Sequence, residues 1–186
     1  MTTTEASLQL DDRSVAAAKA GSLEAFEELV RRHARPLYAY LHRLCGDRQE
    51  TEDLIQETWL RVHKAIERFE GRSSFRTWLY RIATNRFRET YAKKRRRERL
   101  APAPEPDEVR SEPGESMRLG ELETAVRSAI DRLPGKQRSV AVLSIYEELT
   151  PRDIAEVLGL KAETVRVHLH LARKRLQRDL DPFLEA

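Results

Sequence analysis

Arg166, His170, Arg173 and Lys174 recur at the spacing of one helical turn near the end of the chain. Side chains three and four apart share a helix face. Cations and an imidazole arranged this way can reach phosphates or base edges from a helix lying in the major groove of duplex DNA. A second set lies far upstream, where Trp78, Arg81, Asn85 and Arg88 fall on one helical face. The run from Arg86 to Arg99 adds eight basic and two acidic residues. Aromatics beside cations suit unstacked bases, because every base offers a π-face and its backbone is anionic. The spacing leaves Trp78 two readings, a platform for a base or a core residue. The run from Lys93 to Arg97 is read as contacting phosphate.

Other chemistries are poorly supported. There is no glycine-rich phosphate loop and no credible Cys/His/Asp triad, so the chain is read as no enzyme and as needing no cofactor. His42 and Cys45 are three apart on a predicted helix. A metal-responsive pair is one reading, and a small buried thiol beside an ordinary histidine is the simpler one. His168 and His170 point in different directions and do not share a metal.

The elements that must position these side chains are all helices. Period-two alternation is absent, and β-branched residues are scattered. Residues 1–10 are expected to be a frayed tail. Helices are predicted over 14–20, 23–32, 37–44, from Asp47 or Thr51 to Phe69, and over 75–97. Ser22 caps the second, Pro36 suits the start of the third, and Ser73 or Ser74 caps the fifth. In the helix ending near Phe69, Ile55, Trp59, Val62, Ile66 and Phe69 form the expected buried stripe. The opposite side is mixed, with Asp53, Gln56, Glu57, Leu60 and Lys64; composition alone makes it a solvated face.

Composition changes at Leu100. The stretch APAPEPDEVRSEPGES holds four of the eight prolines, and Leu100 to Glu121 carries six acidic and two basic residues. Such a segment is expected to stay extended, as a Pro/Glu-rich linker over 100–121 between domains at 11–99 and 122–186. The second domain is predicted to hold helices over 122–133, 136–146, 151–158 and 162–179. Thr150, Pro151 and Asp153 start the third, and Gly159 makes a tight turn into the fourth. That pair reads as a helix-turn-helix. Val165, Leu169, Ala172 and Leu176 fall on its buried stripe, and Lys161 to Arg178 holds six basic residues and one acid.

The bulk numbers agree. Net charge is only +3 with 35% charged residues, so the basic groups act through local clusters. A single cysteine excludes an internal disulfide. The N-terminus lacks the apolar core of a signal peptide, and no stretch is long enough to span a bilayer. A cytoplasmic protein with no membrane insertion is expected.

Taken in order, the words GSLEAFEELVRRH, EDLIQETWLRVHKAIERF, SSFRTWLYRIATNRFRE, LPGKQRSVAVL and LTPRDIAEVLGLKAETVRVHLHLARKRL resemble an extracytoplasmic-function (ECF) sigma factor. This is the two-domain group of the sigma-70 family of bacterial initiation factors. The resemblance covers about 11–99 and 122–180. It implies that region two docks on the β′ clamp helices of core RNA polymerase through Asp53, Leu54, Gln56, Glu57 and Leu60. It also implies that the loop Glu70 to Arg76 and the next helix capture and melt the −10 element, flipping non-template bases into a pocket. Ser73, Ser74, Phe75, Arg76, Trp78, Tyr80, Arg81, Asn85 and Arg88 are the candidates there. Region four is implied to read the −35 element as duplex through Lys161, Thr164, Arg166, Val167, His170, Arg173 and Lys174, and to touch the β flap. An anti-sigma protein is the implied regulator.

The chain departs from its relatives within this helix. Many run like TVKSRLHRAR, with Ser, Arg and Arg where Val167, His168 and Leu171 stand here, so their −35 sequence is not transferable. The rival reading is a stand-alone helix-turn-helix regulator. It explains the last helices and leaves the upstream words unexplained.

Overall fold

The structure is a computed structural model and describes residues 3–100 and 119–184. Among the described residues it is all-α, with two small helical domains. The first contains α1 (Thr3–Lys19), α2 (Leu23–Cys45), α3 (Arg48–Ala65), a 3₁₀ turn (Ile66–Arg68) and α4 (Phe75–Leu100). The second contains α5 (Leu119–Asp131), α6 (Gly135–Ile145), α7 (Pro151–Leu158) and α8 (Ala162–Leu184).

Local chemistry explains most of the boundaries. Ser22 accepts the Ala25 N–H and Asp47 accepts the Glu50 N–H. Of the two candidate caps for α3, Asp47 is therefore the one used. Thr51 is buried inside the helix, its hydroxyl on the Asp47 carbonyl. Ser74 accepts the Thr77 N–H at the start of α4. Gly46 and Gly159 close α2 and α7 in the left-handed conformation, where a Cβ is penalised.

Four sequence expectations change. The helix expected over 14–20 extends back to Thr3, so residues 3–10 of the expected tail belong to α1. Between Thr3 and Val15 there is no glycine or proline to stop a helix that Val15 and Ala18 already anchor in the core. The two helices expected on either side of Pro36 are one continuous α2. Leu29, His33, Leu37, Tyr40, Leu41 and Leu44 make one buried stripe across the proline, and burying several large side chains outweighs one lost backbone hydrogen bond. The buried stripe of α3 is Thr51, Leu54, Thr58 and Val62, with Ile55 and Trp59 only partly buried. The expected linker shortens at both ends, since α4 reaches Leu100 and α5 begins at Leu119. Residues 101–118 lie outside the described residues.

The first core joins α1, α2, α3 and α4 around Tyr40, Leu79 and Tyr80. The second joins α5, α6, α7 and α8 around Val140, Leu143, Ile154 and Val165. The two are in contact, with α7 lying along α4 and α6 meeting α2.

Candidate nucleic-acid interface

In the second domain a short helix and a long one are set at a fixed angle by a left-handed glycine. The Thr150 hydroxyl accepts the Asp153 N–H and donates to the Asp153 carboxylate, fixing the start of α7. Gly159, at φ 64°, turns the chain into α8. Val165, Leu169, Ala172 and Leu176 are buried as their spacing predicts. That burial turns Lys161, Arg166, Val167, His170, Arg173 and Lys174 outward, with Thr164 half-buried. Val167 is 56% exposed and Leu171 39%, an apolar pair among the cations. His168 is half-buried and its Nδ1 lacks a hydrogen-bond partner in the chain. The face carries exposed cations around a small apolar strip, which matches an anionic groove edged with methyl groups.

The upstream site is a cleft of about 470 Å³ at the start of α4, lined by Arg68, Phe69, Glu70, Arg72, Ser73, Trp78, Arg81 and Glu156. Trp78 takes up both of its sequence readings. It is 8% exposed and packs at 4.9 Å and 5.9 Å between ring centroids on Phe69 and Phe75, yet its edge still lines the cleft. Phe75 is core, and His33 packs on it at 5.3 Å. The cleft floor is pinned from behind, since Lys19 donates to the Phe69 carbonyl at 2.7 Å. Ser73 lines the cleft, whereas Ser74 is spent on capping α4. Aromatic walls and three arginines suit a flat, anionic ligand such as an extruded nucleotide. Arg68 and Phe69 were not singled out for this role from the sequence. They precede the loop, and only the 3₁₀ turn swings them onto the wall.

Several upstream residues face the second domain. Tyr80 is fully buried, and its hydroxyl donates to Glu147, which also accepts from Arg76 at 2.9 Å. Burial, then the Glu147 charge, pushes the Tyr80 phenol far above its ordinary value. Arg81 pairs with Glu156 at 3.5 Å, and Arg88 donates to the Leu158 carbonyl at 3.0 Å. Asn85 remains exposed. Glu147 and Glu156 had no sequence signal for this site, because they arrive from about seventy residues away along the chain.

The mixed face of α3 is partly solvent-facing. Asp53, Gln56 and Leu60 are exposed, Leu60 by 54%. Glu57 is tied to Arg86 of α4, and Arg61 and Arg86 share Glu89, so Glu57 also fastens the helix pair. Leu54 is set apart from these neighbours. It is only 4% exposed and belongs to the core, because it sits one turn from Thr58 and Thr51 on the buried stripe. Among the described residues no group of three or more His, Cys, Asp or Glu could hold a metal, and no helix is long and apolar enough to cross a membrane.

Comparison with known proteins places both domains in one family. Residues 29–97 match the model of Sigma-70 region 2, and residues 123–176 match that of Sigma-70, region 4. The chain is 34% identical over 160 residues to the ECF RNA polymerase sigma factor SigE of Mycolicibacterium smegmatis, covering 84% of this chain and 62% of the relative. It is 30% identical over 182 residues to the ECF RNA polymerase sigma factor SigW of Bacillus subtilis, covering 87% and 92%. Among solved structures it resembles CnrH, determined in complex with the cytosolic domain of CnrY, with a TM-score of 0.71 and 27% identity over 93% of this chain and 98% of that one. With both regions matched in order and a relative covered over nearly its full length, the chain belongs to the extracytoplasmic-function group of the sigma-70 family of RNA polymerase sigma factors.

Proposed function

We propose that this chain gives core RNA polymerase its choice of promoter, through three surfaces with separate tasks. The exposed part of the α3 face, Asp53, Gln56 and Leu60 with Glu57 at its edge, docks on the β′ clamp helices. The cleft at the start of α4 takes bases of the non-template strand at the −10 element as the duplex opens. Unpairing costs a few kcal/mol, and stacking of an extruded base on an aromatic wall offsets about 1–3 kcal/mol of it. The outward face of α8 reads the −35 element as duplex, and its domain meets the β flap. The observation that carries this reading is the coexistence of two unlike anionic-ligand surfaces on one chain. One is an aromatic cleft suited to single strands, and the other is an exposed cationic helix suited to a groove.

The same reading puts its work in the cytoplasm, with the polymerase, on a signal-responsive set of genes. It needs no cofactor and no catalytic chemistry of its own. CnrH and CnrY form a complex, and by analogy an anti-sigma protein is the partner that withholds this chain from polymerase. The direct test is transcription by core polymerase on a pool of randomised promoters, with and without the chain. Chain-dependent transcripts should share two motifs at a fixed spacing. Tight footprinting of duplex DNA by the chain alone, with no effect on polymerase, would instead establish a stand-alone regulator.

A further inference from the structure

Val167 and Leu171 of α8 are large apolar side chains turned away from the core, 56% and 39% exposed. They stand four residues apart and so form one continuous strip on the helix. The strip lies at the middle of the outward face. Val167 follows the buried Val165 by two residues, which puts it about 200° round the helix, nearly opposite the stripe that packs on the core. Arg166, His170 and Arg173 are exposed along one side of it, and Lys174 and Arg175 stand one turn beyond Leu171. Packing within the chain accounts for neither side chain.

A duplex offers a counterpart with the same layout. In the major groove the thymine C5 methyl is the apolar group on a base edge, and phosphates run along both rims. A hydrophobic protein surface seated on the strip would instead bury the neighbouring cations without counter-charge, which is costly. The spacing also sets a register. Four residues advance a helix by about 6 Å and base pairs stack about 3.4 Å apart, so the two side chains span about two base-pair steps.

We propose that Val167 and Leu171 are specificity-determining residues of the −35 contact, each seated on a thymine C5 methyl, so that the element carries two thymines within about three base pairs of each other. This rests on the assignment of α8 to the −35 duplex. The cations hold the helix in the groove whatever the sequence, because phosphate is the same at every step. The apolar strip supplies the choice. It gains contact from a methyl, and it leaves the amino group of a cytosine at the same place without an acceptor.

The test uses the full chain with core polymerase and a promoter recovered from the randomised pool. Its −35 element is expected to show the thymine pair. In synthetic copies, 2′-deoxyuridine replaces thymidine in that element, which removes the methyl and keeps the base pairing. Each methyl lost from an apolar contact is expected to weaken promoter binding by about fourfold, and the loss of both by about tenfold or more. Val167→Ser with Leu171→Ser is expected to bind the thymine promoter about tenfold less tightly and to bind the thymine and deoxyuridine promoters equally, since the methyls have lost their contacts. Should that variant fold poorly by circular dichroism, Val167→Ser alone changes the more exposed position and is expected to lose sensitivity to one of the two methyls. Wild-type binding that ignores the deoxyuridine overturns the proposal, as does a double variant that still discriminates thymine by the full factor. A double variant that initiates poorly on both promoters, beside a wild type blind to the methyl, shows the strip to be a protein contact. If no upstream motif emerges from the pool, the assignment of α8 to the −35 element itself falls. An upstream motif without methyl dependence overturns the thymine reading alone.

Discussion

Single residues divide between those whose setting makes them inert and those whose setting exposes them. Cys45 is of the first kind. Burial pushes its thiol up to about 11, against a weaker downward pull from Thr51. The thiolate is the reactive form, so Cys45 is expected to alkylate far more slowly in the native chain than in the unfolded one at neutral pH. Mass spectrometry after iodoacetamide treatment checks this, and equal rates would refute it. The sign of the linked stability follows from a folded value above the unfolded one. The contribution is fully present below about 9 and is lost as pH rises toward 11. Arg166 is of the second kind, exposed and held only loosely by Glu163 at 3.7 Å. Arg166→Ala is expected to lower promoter-specific initiation and to flatten the dependence of log affinity on log salt by about one unit. Polymerase-bound promoter affinities measured across a salt series will show it; an unchanged slope removes Arg166 from the phosphate contacts. At this scale Trp78 was ambiguous in the sequence, because helical spacing places it on a polar face while only the packed rings of Phe69 and Phe75 show that it is also core.

Elements carry the second set of expectations. On α3 a buried leucine and exposed polar groups alternate within two turns. Asp53→Ala with Gln56→Ala is expected to weaken binding to core polymerase and leave the melting temperature near the wild type. Leu54→Ala is expected to lower stability by about 2–5 kcal/mol through a core cavity, whatever it does to binding. Thermal melts and a polymerase pull-down on both variants separate the two roles, and unchanged core affinity in the double variant would discard the docking face. Thr150→Ala removes the cap that aims α7 and is expected to cost about 1 kcal/mol in chemical denaturation. Capping residues and stripes were legible along most of the chain. Those of α7 and α8 landed in place, since Thr150, Gly159 and the Val165 to Leu176 stripe act within a few residues of one another. The break expected at Pro36 was not found, because a proline marks a lost hydrogen bond and says nothing of the core contacts on both sides that outweigh it.

For the molecule as a whole, the seam between the domains is what matters. It joins α4 to α7 and α2 to α6, and it is polar along much of its length. Arg138 anchors the α2–α6 side, bound to the Arg43 carbonyl and to Asp131 at 2.7 Å. Arg138→Ala is expected to loosen the second domain, so that α6 and α7 amides exchange faster while α2 and α3 amides keep their protection. Hydrogen exchange by mass spectrometry reads this directly; uniform protection in both domains would show that Arg138 does not brace the seam.

By itself the sequence determined most of the helices, the two-domain order, the outward cations of α8 and the family words. Each of these follows from short-range periodicity, capping or contiguous motifs. The tertiary structure alone decided that Leu54 is core, that Arg68 and Phe69 wall the cleft, and that Glu147 and Glu156 meet Arg76, Tyr80 and Arg81 of α4. Those facts depend on groups far apart in the chain. A carboxylate in a surface turn reads as solvated until the fold buries it against an arginine and a tyrosine of the other domain.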